Sequence, residues 1–128
     1  MGIDDEVVRL RLPAEPLSLQ LIRLSVYLVA SRMDFDLSRV EDLNLAVEEA
    51  GRYVLEKAGD GLPLLVEIIP AGDYLDIVLT SKIARDREGA CALPDTLAQR
   101  ILKVLLDGFE VKREGDFCRL FLRKRRFP

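Results

Sequence analysis

Glu48 and Glu49 stand side by side in the run LNLAVEEAGRYVLEKAG, and Tyr53, four residues after Glu49, shares its face if the run is helical. Such carboxylates are suited to general-base work, taking a proton from a hydroxyl or a water. They have few competitors. The chain contains no His, which excludes Ser-His and Cys-His nucleophile pairs and imidazole-bound metals. Cys91 and Cys118 lie 27 positions apart without CxxC spacing, a pattern of neither a zinc site nor a disulfide framework, so two free thiols in a reducing compartment are expected. No metal site is expected. The remaining chemical feature is the run Arg123-Lys124-Arg125-Arg126, with Arg119 before it, in a chain whose net charge is −3. Basic runs can grip phosphate backbones, and the competing reading is a solubilising strand end.

The elements that must position these residues follow from periodicity. Val7 to Leu12 alternates as a half-buried strand, with Val8, Leu10 and Leu12 on one side, and Pro13 ends it. Pro16 suits the first turn of a helix whose apolar face reads Leu17, Leu21, Leu24 and Leu28. A second helix opens at a capping box of Ser38 and Glu41, with Asp36 as the rival cap. Its stripe is Val40, Leu43, Val47, Ala50 and Val54, and Gly59 is its expected stop. Leu64 to Ile69 and Leu75 to Leu79 flank Ala71-Gly72-Asp73 as a β-hairpin. After the irregular SKIARDREGACALP, a third helix runs from a cap at Asp95 to Gly108, with the stripe Leu97, Ile101, Val104 and Leu105. A second hairpin closes the chain around Glu114-Gly115-Asp116, with Cys118, Leu120 and Leu122 on one face.

The order is β-α-α-β-β-α-β-β. Its economical packing is an α+β two-layer sandwich with the helices on one face of a mostly antiparallel mixed sheet. With 128 residues, 49% hydrophobic and 32% charged, the chain is expected to form one domain over residues 1–128. The acidic start MGIDDEVVRL is unlike a secretory signal, and no apolar run approaches the roughly 18 residues of a membrane span, so a cytoplasmic protein without membrane contact is expected.

Ala46, Val47, Glu49 and Ala50 match the pattern A-V-x-E-A-x-x-N-A, and Leu12-Pro13-Ala14 leads into a helix carrying a central Arg23. With the element order, these features resemble the bacterial anti-sigma factor and serine kinase family, within the GHKL superfamily of histidine-kinase-like ATPases. The resemblance covers nearly the whole chain and implies the histidine-kinase-like ATPase fold. It puts Glu49 in the place of the general base and Arg23 in the place of an arginine that contacts a sigma factor or an anti-sigma antagonist. It also implies that a homodimer is common.

Where the family has a magnesium-binding Asn, this chain has Tyr53, a poor ligand for a hard cation. Where it has Asp-x-Gly-x-Gly around adenine, this chain has Ser81, Ile83 and Arg85, and the phosphate-cradling Gly-x-Gly falls on Thr96 and Ala98. The resemblance is thus to a degenerate member, a pseudokinase-like, protein-binding module for transcription regulation that needs no cofactor. The alternative is an active ATP-dependent protein serine kinase with atypical boxes, using ATP and magnesium. A second alternative is nucleic-acid binding by the basic C-terminus, which an acidic chain without Trp disfavours.

Overall fold

The computed structural model describes residues 6–58, 62–83, 91 and 97–127. The elements are β1 (Val8–Pro13), α1 (Pro16–Arg32), α2 (Leu37–Lys57), β2 (Pro63–Ala71), β3 (Tyr74–Lys82), α3 (Leu97–Leu105), β4 (Gly108–Glu114) and β5 (Phe117–Arg125). They form one five-stranded sheet of order β1-β2-β3-β5-β4. Every pairing is antiparallel, so the expected two-layer fold holds while the sheet is not mixed. Gly72 and Gly115 take φ values of 65° and 60° in the two hairpin turns, backbone that a side chain resists.

Alternation along the strands builds the core. Leu64, Val66 and Ile68 of β2, Leu75, Ile77 and Leu79 of β3, and Cys118, Leu120 and Leu122 of β5 are buried towards the helices. Helix α2 lies across the centre of the sheet against β3 and β5, flanked by α1 and α3. Its stripe of Val40, Leu43, Val47, Ala50 and Val54 is buried as its spacing predicts.

Helix α1 packs the other way round from the sequence expectation. Leu17, Leu21, Leu24 and Leu28 are 63%, 49%, 67% and 53% exposed, and the core receives Ser18, Leu19, Ile22, Val26, Val29 and Ala30 instead. The helix is apolar on both sides, so period alone does not choose the buried one. Two contacts do. Ser18 Oγ donates to Pro13 O at 2.6 Å, turning the first turn of α1 towards the end of β1. Leu19 then fills the space above Gly51 of α2, where a Cβ would overlap Leu19 Cδ2. In α3 the stripe is also displaced: Leu97 and Val104 are exposed, while Leu102 is buried and Leu106, just past the helix, joins the core. The cap expected at Asp95 and the stop at Gly59 lie outside the described residues.

The two cysteines are bonded, contrary to the expectation of free thiols. Cys91 and Cys118 form a disulfide with Cα atoms 5.7 Å apart. Spacing along the chain could not reveal this, because the pairing arises from tertiary structure. Strand β5 turns Cys118 inward, and the connection between β3 and α3 brings Cys91 onto the same core. A crosslink over 27 residues restricts the unfolded chain, so Cys91→Ser, or reduction, is expected to cost about 2–4 kcal/mol of stability. Denaturant melts with and without a reductant measure this, and a thiol assay of the unfolded, unreduced chain should detect no free sulfur.

Candidate functional site

Helix α2 begins at Asp36, whose carboxylate accepts from the Arg39 backbone N–H at 2.9 Å, so the rival cap is used and the Ser38 capping box is not. Burial of Ala46, Val47, Ala50 and Val54 then fixes the rotation of the helix and leaves Glu48 and Glu49 on its flank. The two side chains remain 31% and 27% exposed. Arg52 donates to Glu48 Oε1 at 2.8 Å and lies 3.7 Å from Glu49. Arg23 of α1 reaches Glu48 at 3.7 Å from across the helix pair. Surface pairs of this kind contribute about 0–1 kcal/mol each, so their effect is mainly to orient the carboxylates towards guanidinium groups.

Tyr53 lies on the core side of the same helix, 8% exposed, in one apolar cluster with Ile83 and Cys118. Ser81 is 1% exposed on the inner face of β3, opposite Cys118 of β5. Its Oγ is buried without a hydrogen-bond partner among the described residues. The end of α2 closes onto this region through a bridge between Ala58 and Ile83. Tyr53 and Ser81 thus face the core, and the Cys91–Cys118 disulfide lies beside Ser81. Ala98 is half-buried on α3, and Thr96 falls outside the described residues.

A magnesium nucleotide needs accessible hard oxygens and a phosphate-cradling backbone. Tyr53 and Ser81 are instead a buried phenol and a buried hydroxyl, and among the described residues no three His, Cys, Asp or Glu side chains converge. These residues do not fit that group.

Most of the C-terminal basic run is engaged within the fold. Arg119 meets Glu114 at 3.3 Å and Arg126 lies 4.0 Å from Asp34. Arg123 makes a two-pronged pair with Asp76 at 2.7 and 2.8 Å on the open face of the sheet, stacked 4.6 Å from the Tyr74 ring centroid. The hydrogen bonds to Asp76 raise the Arg123 pKa above its ordinary value. Arg125 donates to the Tyr74 hydroxyl at 3.3 Å.

Lys124 points inward and is 7% exposed, with Nζ donating to Leu105 O at 2.6 Å and pairing with Asp42 at 3.4 Å. It caps the end of α3 and ties it to α2. Its place after Cys118, Leu120 and Leu122 in a two-residue alternation carried this inward orientation in the sequence, but the surrounding arginines obscured it.

A five-stranded antiparallel sheet under three helices, with Glu49 beside Tyr53 on the central helix, is the frame on which the resemblance rests. No protein-family profile matches the chain. Over 82 residues it is 30% identical to the serine-protein kinase RsbW of Bacillus pumilus (strain SAFR-032), covering 60% of this chain and 51% of that protein. The chain therefore spans about half the length of that curated relative. The crystal structure of the RsbU and RsbW domains of Rv1364c from Mycobacterium tuberculosis superimposes with a TM-score of 0.73 at 15% identity, over 94% of this chain and 32% of that one. The SiaB-SiaC complex from Pseudomonas aeruginosa gives a TM-score of 0.67 at 12% identity, over 94% and 91%. The chain is thus similar in sequence to an RsbW serine-protein kinase and shares its fold with an RsbW-domain structure. No helix among the described residues is long and apolar enough to cross a membrane.

Because Lys124 satisfies a helix-end carbonyl in a buried place, Lys124→Met should leave Leu105 O without its charged donor. A loss of about 1–3 kcal/mol is expected in a denaturant melt. Arg119→Ala, on a surface pair, should change stability by less than about 1 kcal/mol.

Proposed function

We propose that the chain is a regulatory protein-binding module of the anti-sigma factor type that works without binding ATP and without transferring phosphate. The observation that carries this reading is the burial of Tyr53 and Ser81, at the positions where the resemblance expects the magnesium-binding Asn and the adenine-binding Asp. A phenol and a hydroxyl turned into the core are poor replacements for an Asn that holds magnesium and an Asp that holds adenine. Lost glycines at the phosphate loop, with Thr96 and Ala98 in their place, support the same reading from the sequence.

The partner in this reading is a sigma factor or an anti-sigma antagonist, as the likeness to an RsbW kinase and to the SiaB-SiaC complex suggests. Arg23 is the partner-contacting residue. It lines a groove of about 280 Å³ between α1 and α2 with Gln20, Leu24, Tyr27 and Asn44. Asn44 Oδ1 is buried there without a partner among the described residues, an acceptor that a protein ligand could satisfy.

The alternative, a protein serine kinase with atypical ATP boxes, draws on the likeness to the serine-protein kinase of Bacillus pumilus and on the retained Glu49. Glu49 would serve as base and another oxygen would have to hold magnesium. Transfer of radiolabel from ATP to a partner protein, lost in Glu49→Gln, would favour that alternative.

The test of the leading reading is calorimetric titration with the cognate sigma factor or antagonist in the absence of nucleotide. Binding should be seen, should be unchanged by ATP and magnesium, and should weaken about tenfold or more in Arg23→Ala. A strict requirement for ATP would overturn it.

A further inference from the structure

The Cys91–Cys118 crosslink lies beside a hydroxyl that has no hydrogen-bond partner among the described residues. Ser81 of β3 and Cys118 of β5 are register partners, both turned into the core and 1% and 0% exposed. Side chains directly opposed on antiparallel strands have Cβ atoms about 4.5–5.5 Å apart, so rotation about Cα–Cβ can bring a serine oxygen and a cysteine sulfur within hydrogen-bond reach. In the crosslinked chain the sulfur of Cys118 is held by Cys91, and Ser81 Oγ is left orphaned. An orphaned buried hydroxyl is a cost carried by the disulfide form. A free thiol at Cys118 removes that cost, because thiol and hydroxyl can each donate and accept.

We propose that the crosslink is a reversible redox switch, opened by a dithiol reductant, and that Ser81 sets its balance by partnering the sulfur of reduced Cys118. Access is one-sided. Cys91 is half-buried at the margin of the core while Cys118 is fully enclosed, so a thiolate arriving from solvent attacks Cys91 Sγ. That step forms a mixed disulfide with Cys91 and expels Cys118 as a thiolate, which accepts a hydrogen bond from Ser81 and then a proton from solvent. The second thiol of the reductant gives up its proton and attacks its own sulfur in the mixed disulfide. This closes the disulfide of the reductant and releases Cys91, which takes up the second proton. Two electrons and two protons have then passed from the dithiol to the cystine.

The fold tolerates the open form. Strand β5 pairs with β3 along its whole length and with β4 on its other side, and Cys118 belongs to one core cluster with Tyr53, Leu79 and Leu120. None of these contacts needs the crosslink. Reduction releases the tie between β5 and the connection from β3 to α3 that bears Cys91.

The test equilibrates the whole oxidised chain, without denaturant, against mixtures of reduced and oxidised dithiothreitol, and counts thiols by mass after alkylation. Reduction and reoxidation should both go to completion, and the reduced chain should keep one cooperative melt at a lower midpoint. Ser81→Ala ends both the cost of the hydroxyl in the oxidised form and its hydrogen bond in the reduced one. The equilibrium constant for reduction should therefore fall about tenfold, about 30 mV for a two-electron couple. Ser18→Ala, which loses a hydroxyl bonded to Pro13 O far from the sulfurs, should leave that constant unchanged. A disulfide that opens only in denaturant, or a reduced chain that is unfolded, overturns the switch. A constant unmoved by Ser81→Ala overturns the part given to Ser81. None of these outcomes bears on nucleotide or partner binding, so the switch and the regulatory reading stand or fall separately.

Discussion

The close approach of α1 to α2 at Gly51 governs much of this molecule. Leu19 occupies the volume that a side chain at residue 51 would need, so α1 is drawn down with Leu19, Ile22, Val26 and Val29 inward. That single choice turns the leucines at 17, 21, 24 and 28 outward, sets Arg23 against Glu48, and opens the groove beside Asn44. The close contact is a steric requirement with no directional bond behind it; the hydrogen bond from Ser18 to Pro13 supplies the direction. A residue larger than Gly at 51 would push α1 away and disturb all these features together.

A second constraint works at the other flank of α2. Lys124 reaches from β5 to the last carbonyl of α3 and to Asp42, a charged group placed in the core where its partners are fixed. On the open side of the same strand, Arg123 and Asp76 form a two-pronged pair under the Tyr74 ring. The positive charge of the C-terminal run is thus spent on joining elements, which leaves less of it free for a phosphate backbone.

The strands and the order of elements were legible because period-two alternation with Gly turns has few other interpretations, as at Leu75, Ile77 and Leu79. The buried side of α2 was legible for a similar reason: its other side is charged. The buried side of α1 was not, since Leu lies on one face and Ile and Val on the other, and the deciding contact with Gly51 is 32 residues away along the chain from Leu19. The disulfide was hidden because Cys91 and Cys118 meet only through tertiary structure. At the candidate site, the identities of Tyr53 and Ser81 announced a departure from the family pattern, while their burial was a matter for packing.

The proposed regulatory reading rests on the burial of Tyr53 and Ser81, at positions where the resemblance expects contacts to a nucleotide. Titration of ATP with magnesium into the whole chain, followed by calorimetry, tests it most directly. The account predicts no heat beyond dilution. Micromolar binding that Glu49→Ala abolishes would contradict it.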